Sequence, residues 1–372
     1  MRRVAWMCVV GAVAVSACSS GGGSETTAGE AGQTATISSA DGWVRVSGDV
    51  FEGALLVGVV EGGPGFVAVG QVFPTGAVGV WLSEDAVEWS RVTGMSEVFA
   101  DSSPQSIVST DLGLVIVGFS GADGLVLLSN DGEVWSQAPV SDELSGLGLM
   151  SVTGGGPGLV AVGRDEAREN AVVVTSPDGV AWTRVPHDQA VFGGAFLRGV
   201  TGSGPGLVAV GMKAPQPMDG AVVLTSPDGL TWTRLPDAQA FEDSLVVSVA
   251  SADGGVVAVG RDFAGEIGVV LTSVAGAVWT RASFDPDVFG NSVIDAVTWT
   301  PDGTVAVGST ASLNEAVVWT SSDQLAWTRL PPQPGIFDNG DMNAIVATSE
   351  GFLIVGEDAD GEYGVVWKRL NP

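Results

Sequence analysis

The feature that most constrains this chain is an internal repeat. A short apolar phrase that ends in glycine, Val-Ala-Val-Gly or a close variant, recurs seven times. The repeated glycines are Gly70, Gly118, Gly163, Gly211, Gly260, Gly308 and Gly356. Their spacings are 48, 45, 48, 49, 48 and 48 residues. Periods of this length are typical of architectures built from one repeated supersecondary unit.

Each copy contains four short apolar runs of strand length. In the fourth copy they are Leu197–Thr201, Leu207–Val210, Ala221–Thr225 and Thr231–Leu235. They are rich in β-branched residues and are separated by turn residues, and no copy shows helical periodicity. Four strands in about 48 residues is the pattern of a propeller blade. The sequence therefore predicts an all-β, seven-bladed β-propeller over residues 41–372.

The two ends of the predicted propeller complement each other. The seventh copy has only three runs, Asn343–Ala347, Phe352–Val355 and Gly364–Lys368. The missing outer strand matches the segment Asp41–Val46 near the start of the chain. We therefore predict that the N-terminal strand completes the last blade, which removes an open sheet edge.

A second motif follows each central glycine but the last. Its clearest copy runs from Ser176 to Arg184 and reads Ser-Pro-Asp-Gly-Val-Ala-Trp-Thr-Arg. Ala86 replaces the glycine in the first copy, and Ala275 replaces the acid in the fifth. The aspartates and tryptophans of the motif are Asp85, Asp131, Asp178, Asp228, Asp323, Trp89, Trp135, Trp182, Trp232, Trp279 and Trp327.

This motif resembles the Asp-box, or bacterial neuraminidase repeat, of sialidases, sortilin-type receptors and related propellers. Glycine supplies positive φ in the hairpin between the third and fourth strands. The aspartate accepts hydrogen bonds from turn amides, and the tryptophan buries about 200 Å² between neighbouring sheets. We therefore predict structural roles for these residues. The resemblance implies that these turns lie on the face away from any active site.

The N-terminus indicates export. Arg2 and Arg3 precede an apolar run, Val4–Ala17, that is shorter than the ~20 residues a membrane span needs and is typical of a signal peptide. Residues 15–18 read Val-Ser-Ala-Cys and resemble the bacterial lipobox. The resemblance implies cleavage after Ala17 and acylation of Cys18. The alternative is an ordinary secretory signal with a chance cysteine.

Three regions follow from these patterns. Residues 1–17 form the lipoprotein signal peptide, residues 18–40 the lipidated cysteine and a flexible tether, and residues 41–372 the propeller. The tether is rich in Gly, Ser, Thr and Ala, so it cannot bury a core. Two or three acyl chains give stable anchoring. We expect a protein held by lipid on the extracytoplasmic side of the cell membrane.

The charge balance limits the partners. The chain has 15 Lys and Arg against 43 Asp and Glu, so it repels nucleic acid and anionic headgroups. Such acidity favours solubility and a monomer, and it would attract cations or basic partners. The two cysteines, Cys8 and Cys18, lie in the leader region, which excludes disulfides and thiolate metal sites from the folded part.

The loops between blades supply the candidate binding residues. They carry a repeat of their own, an aromatic residue followed by acidic or small polar ones, and the six phenylalanines are Phe51, Phe99, Phe192, Phe241, Phe289 and Phe337. The nearby acids are Asp49, Glu52, Asp101, Glu242, Asp243, Asp285, Asp287, Asp338 and Asp341. We predict an acidic ring at the channel mouth and phenylalanines tucked against the blades. The acids are either a solvated rim or a pocket for Ca²⁺ or a basic partner. Ca²⁺ needs ~6–8 oxygen ligands.

No catalytic constellation is evident. Sialidases use a tyrosine nucleophile with a glutamate, an acid/base aspartate and three arginines. The sole tyrosine is Tyr363, and His187 is the sole histidine, which argues against Ser-His-Asp and multi-histidine metal sites. Outside the motif, the arginines of the predicted blades are Arg164, Arg168, Arg198 and Arg261, apart from those of the two terminal strands.

Two functions stay open at this point. The favoured one is a non-catalytic lipoprotein that binds or scaffolds an unknown protein or carbohydrate, without a cofactor; some propellers of this type resemble photosystem assembly factors. The alternative is a divergent sialidase-like or other carbohydrate-active enzyme. An enzyme should bring Arg, Asp or Glu side chains with perturbed pKa values together in a pocket on the channel face.

Overall fold

The computed structural model describes residues 26–28, 35–95, 99–139, 141–165, 167–203, 206–214, 220–252, 255–264, 267–312 and 315–370. Seven antiparallel sheets surround a central channel, which confirms the predicted seven-bladed propeller. Six sheets have four strands and the last has six. Within the described residues, no helix is long and apolar enough to cross a bilayer.

The strands of each blade follow one another from the channel outwards. Blade 1 consists of β4 (Ala54–Gly62), β5 (Gly65–Val72), β6 (Ala77–Ser83) and β7 (Ser90–Arg91). Blade 2 consists of β8 (Ser102–Thr110), β9 (Gly113–Ser120), β10 (Asp123–Ser129) and β11 (Ser136–Gln137). Blade 3 consists of β12 (Leu147–Gly155), β13 (Gly158–Asp165), β14 (Asn170–Ser176) and β15 (Thr183–Arg184). Blade 4 consists of β16 (Ala195–Ser203), β17 (Gly206–Lys213), β18 (Ala221–Ser226) and β19 (Thr233–Arg234). Blade 5 consists of β20 (Leu245–Ala252), β21 (Gly255–Arg261), β22 (Gly268–Ser273) and β23 (Thr280–Arg281). Blade 6 consists of β24 (Ser292–Thr300), β25 (Gly303–Thr310), β26 (Ala316–Ser321) and β27 (Thr328–Arg329).

Blade 7 is built from both ends of the chain. Its strands are β28 (Gly340–Thr348), β29 (Gly351–Asp358), β30 (Gly364–Leu370), β3 (Trp43–Gly48), β2 (Ala35–Ala40) and β1 (Thr26–Ala28). Among the described residues, the short helices between blades are the α-helical turns Gln189–Phe192 and Pro286–Phe289 and the 3₁₀ turns Asp49–Phe51 and Gln239–Phe241.

The closure of the ring is confirmed in detail. β3 pairs antiparallel with β30, with Trp43 opposite Arg369 and Val46 opposite Val366. The Trp43 indole is buried and meets Phe337 edge-on, with ring centroids 4.9 Å apart. The sheet also extends outwards through β2 and β1, which lie in the segment predicted as a tether. β2 continues the ladder because the turn after Ala40 returns the chain along β3.

The hydrophobic core lies between blades rather than at one centre. Seven clusters of buried side chains each span two neighbouring sheets. In one of them, Trp232 of blade 4 lies with Val160 and Val162 of blade 3. The repeated glycine lies on the second strand of each blade. It is required there because the backbone of the first strand approaches closely. A Cβ at Gly163 would collide with the Gly148 carbonyl oxygen.

Two faces result from this topology. We call upper the face that carries the connections between blades and the loops between second and third strands. We call lower the face that carries the hairpins between first and second strands and the turns of the Ser-Pro-Asp-Gly type, which we name Ser-x-Asp turns. The lower hairpin at Gly156 of blade 3 packs against Asp228, in the Ser-x-Asp turn of blade 4.

Candidate functional site

The Ser-x-Asp turns are closed hydrogen-bonding units. Asp178 Oδ1 accepts hydrogen bonds from the amides of Val180 and Ala181, both at 2.9 Å, while Ser176 Oγ accepts the Gly179 amide at 2.8 Å. Trp182 Nε1 donates to the Gly179 carbonyl at 2.7 Å. The two amides hold the pKa of Asp178 below its usual value. Oδ1 is therefore fully used by the turn itself.

Asp85, Asp131, Asp228 and Asp323 accept the equivalent pair of amide hydrogen bonds. The fifth copy shows what the carboxylate does. There Ala275 replaces the acid, and the buried Ser273 Oγ has no hydrogen-bond partner among the described residues. Ala86 takes the left-handed position of the first copy with φ of 62°.

The arginines after these tryptophans bind the connection that precedes their own blade. Arg184 Nε donates to the Glu143 carbonyl at 2.7 Å, and Arg234 Nη1 donates to the Gly193 carbonyl at 2.7 Å. Arg281 makes the same type of contact with the Glu242 carbonyl at 2.9 Å. These arginines fix loops and do not face the channel.

The predicted ring acids lie on the upper face, and all except Asp341 are exposed. Asp101 and Asp243 occupy left-handed turns with φ of 53° and 49° just before an innermost strand, where other blades use Gly or Asn. Asp285 caps the helix Pro286–Phe289 by accepting the Asp287 amide at 2.9 Å. Several of these carboxylates therefore shape loops. The phenylalanines Phe51, Phe99, Phe192, Phe241, Phe289 and Phe337 are all buried.

The channel is lined by a ring of residues that are not among the predicted binding residues. Every innermost strand has a β-bulge at the same register. The bulge places one side chain of each blade around a cavity of about 240 Å³. These residues are Val57, Gln105, Met150, Arg198, Val247, Asp295 and Asn343. Each stands thirteen positions before the central glycine of its copy.

The ring residues differ chemically although the repeat around them is regular. Most of the seven are apolar or amide side chains, and one of them, Asn343, closes the ring by donating to the Leu56 carbonyl at 3.0 Å. The two charged members are Arg198 of blade 4 and Asp295 of blade 6. A repeat that served packing alone would have no reason to place opposite charges at two equivalent positions.

Three further charged side chains lie at the upper end of the channel, where two of them interact with this pair and the third interacts with Asp341. They are Arg261 at the end of β21, Asp341 at the start of β28 and Glu357 near the end of β29. Asp341 and Glu357 are direct cross-strand neighbours in blade 7. We name Arg198, Arg261, Asp295, Asp341 and Glu357 the channel cluster.

Burial raises the pKa values of the carboxyl groups in the channel, and neighbouring acids raise two of them further. Burial raises the pKa of Asp295 to about 7; the nearby Asp341 adds to the rise, and Arg261 and Arg198 oppose it. Burial also raises the pKa of Glu357 to about 7, and Asp341 and Asp358 contribute. The pKa of Asp341 rises because of burial, although Ser309 donates a hydrogen bond to its carboxylate. Asp341 Oδ1 is buried without a partner among the described residues.

The Phe196 ring contacts two arginines, Arg164 and Arg198, on one side of the channel mouth. The guanidinium carbons of Arg164 and Arg198 lie 5.0 and 5.5 Å from the centroid of the Phe196 ring. Both contacts have cation–π geometry, which holds the two charges in place. Burial lowers the pKa of Arg198, and Asp295 opposes this shift. The mouth thus presents fixed arginines on one side and carboxyls on the other.

The residues that a sialidase-type reaction would need do not assemble in the channel. Tyr363 lies just before β30 and forms an isolated bridge with Glu52, outside the residues that line the channel. Burial raises its pKa, and the surrounding acids Glu52 and Asp49 raise it further. A tyrosine nucleophile would need the opposite shift. His187 is exposed and contacts Gln189 Oε1 at 3.2 Å.

No group of three or more His, Cys, Asp or Glu side chains within the described ranges is arranged to hold a metal ion. The acids proposed as Ca²⁺ ligands are therefore not gathered into a ligand set among those residues. Cys18, the residue predicted to be acylated, lies outside the described residues.

No protein-family model and no curated protein sequence matches the chain. Solved propellers are similar in fold at low sequence identity. YCF48 bound to D1 peptide superposes with a TM-score of 0.61 at 13% identity, over 90% of this chain and 96% of the other. The propeller domain of Cps50 (Swd1) from Myceliophteria thermophila gives 0.53 at 9% identity, over 84% and 98%. A putative 6-phosphogluconolactonase from Bacteroides fragilis gives 0.52 at 12% identity, over 87% and 96%.

Proposed function

We propose that this protein is a non-catalytic binding propeller, anchored by lipid at Cys18 outside the cytoplasm, that holds a segment of a partner protein at the upper mouth of its channel. The observation that carries the proposal is the channel cluster. Buried charges cost free energy unless they are paired, so a packing scaffold has no need of them. Five charged side chains from four blades meet where a ligand could enter.

The size of the cavity favours a chain segment over a sugar. At about 240 Å³ it is smaller than the ~300–1,000 Å³ of typical small-molecule pockets. One or two side chains, or the end of a peptide, would fit beside both fixed arginines and carboxyls. YCF48, a neighbour in fold, is described as bound to a peptide. That likeness supports the proposal by analogy only, since fold does not determine function.

A divergent carbohydrate-active enzyme is the second candidate, because one observation favours it. Asp295 and Glu357, both with pKa values raised to about 7, have the property of a general acid at neutral pH. Tyr363 is not positioned to act as the nucleophile of a sialidase. This candidate therefore requires hydrolysis through the two carboxyls alone.

Affinity capture of the intact lipoprotein from its own membrane tests the proposal. We expect a specific protein partner that Arg198→Gln and Arg261→Gln both lose, because each removes a cation of the cluster. Arg168→Gln is the matched control, since its guanidinium pairs with Asp165 at 2.8 Å and is exposed. Circular dichroism establishes that the variants fold.

A glycan array run in parallel separates the two candidates. Retention of a sugar with no protein partner, or hydrolysis of a glycoside that Asp295→Asn abolishes, would replace the proposal by the enzyme. For the anchor, Cys18→Ser should move the protein from the membrane to the soluble extracytoplasmic fraction.

A further inference from the structure

A second surface lies on the lower face, opposite the channel cluster. Exposed apolar side chains occur there in five consecutive blades, from 2 to 6. They are Leu112, Val134, Val180, Leu230, Val274, Val278 and Leu325. Val134 is 71% exposed and Val278 is 80% exposed, so these side chains point away from the blades. We name this set the lower-face arc.

The Ser-x-Asp turns do not require these apolar residues. Val180, Leu230 and Leu325 contribute only their backbone amides, which donate to the aspartate Oδ1 of the same turn at 2.9 Å. Any residue with an N–H would serve the turn equally well. Apolar side chains that recur on adjacent blades and face water therefore need another explanation.

The arc contains a defined groove between blades 2 and 3. It has a volume of about 580 Å³, and four apolar side chains, Leu112, Leu128, Val134 and Val180, are among the residues that line it. Asp131 and Asp178 also line it. Because each uses Oδ1 for its own turn, each presents a carboxylate that stays ionised at neutral pH. The groove thus combines four apolar side chains with a polar wall, formed by Ser129, Asn130 and Ser136, and two negative charges.

The charge of the arc restricts its occupant. Its turns carry the acids Asp111, Asp131, Glu133, Asp178, Asp228, Asp302 and Asp323. The same turns, residues 110–113, 129–135, 154–158, 176–182, 226–232, 273–279, 300–303 and 321–327, include no Lys or Arg. An anionic membrane surface or a second copy of this acidic chain would be repelled. A basic, apolar partner is attracted by both properties.

We propose that the lower-face arc is a docking surface for a partner segment that carries both apolar and basic side chains. A lysine or arginine of that segment would lie in the groove between blades 2 and 3, with its aliphatic part against the apolar side chains and its charge near the two aspartates. This surface is separate from the channel cluster and does not depend on the function proposed for it. Two sites on opposite faces would let one propeller hold two partners at once.

The test uses the full chain with Cys18→Ser and a fluorescent amphipathic peptide of Leu and Lys, followed by fluorescence anisotropy. We expect saturable binding that weakens as salt rises. The triple variant Val134→Ser, Val180→Ser and Leu230→Ser should weaken it at least about tenfold, because three exposed apolar contacts are lost. Phe73→Ser with Phe284→Ser is the matched control, since both side chains are exposed but lie on the upper face. Arg198→Gln should also bind normally.

Several results would overturn the proposal. They are no saturable binding, equal binding by the triple variant, or equal binding of a Leu and Glu peptide of the same length. Binding of the wild-type chain to phosphatidylglycerol vesicles that the triple variant loses would assign the surface to lipid instead. A change of oligomeric state in the triple variant would assign it to self-association. Loss of partner capture by Arg198→Gln, with peptide binding intact, would show that the two sites act separately.

Discussion

The Ser-x-Asp turns and the channel treat carboxyl groups in opposite ways. In the turns, backbone amides satisfy Asp178 and its counterparts, and their pKa values fall. In the channel, burial desolvates Asp295 and Glu357, and neighbouring acids repel their negative charge, so their pKa values rise to about 7. The turn acids are repeated and the channel acids are not. Repetition with local satisfaction marks the residues that build the fold, and departure from the repeat marks those available for binding.

The comparison predicts its largest effect at a buried indole. Trp182→Ala should lower the free energy of unfolding by ~3–5 kcal/mol, because it leaves a cavity between blades 2 and 3 and removes the hydrogen bond to Gly179. Met150→Ala, in the channel ring, should cost under ~1 kcal/mol because its side chain faces open space. Urea unfolding of both variants measures the difference, and equal costs would contradict the division into building and binding residues.

A smaller effect depends on pH. The folded-state pKa of Asp295 is raised to about 7 from 3.8, so the native chain retains a proton there that the unfolded chain has released between about pH 4 and 7. Stability from this group is therefore complete at low pH and is lost as pH rises towards 7.

Asp295→Asn should remove that loss. We expect no change in stability at pH 4 and a gain of ~1–3 kcal/mol at pH 8, since the amide resembles the neutral acid. Thermal unfolding across this range measures it. Asp302→Asn, at an exposed acid of the lower face, is the control and should change stability little at either pH. A variant that is equally stable or less stable at pH 8 would refute the assignment of Asp295 as a destabilising anion.

The smallest effect concerns the incomplete turn of blade 5. Ala275→Asp should raise the free energy of unfolding by ~0.5–1.5 kcal/mol, because the new carboxylate would accept the Ser273 hydroxyl, which is buried without a partner among the described residues. Val274→Asp adds the same charge in the same turn without that geometry. If both variants are equally stable, the Ser-x-Asp carboxylate contributes nothing beyond charge.

The sequence carried most of the fold because the fold is periodic. Central glycines at a nearly constant interval, one tryptophan in each Ser-x-Asp turn and a seventh copy whose missing outer strand matches Asp41–Val46 were enough to predict the blade count and the closure. Each of these signals is local to about 48 residues, so one chain contains several copies of the same pattern.

The channel cluster could not be found in that way. Arg198, Arg261 and Asp341 come from different blades and meet only because the ring closes. In the sequence, Arg198 and Arg261 are simply two arginines outside the repeated motif. One signal was available: aligning the copies on their glycines puts Arg198 and Asp295 in the same column as Val57 and Met150, thirteen positions upstream. A charged residue in an otherwise uncharged column would have marked the channel.

The pairing of Trp43 with Arg369 has a consequence for how the molecule is made. Translation delivers β3 before the first blade and β30 after the six other blades. Until β30 is made, blade 7 is incomplete and the neighbouring blades lack a sheet to pack against. The nascent chain therefore keeps strand edges with unpaired backbone groups until that point. A premature stop before Gly364 would leave the circle permanently open. The codons for β30 therefore decide whether the six blades made before them become part of a closed ring.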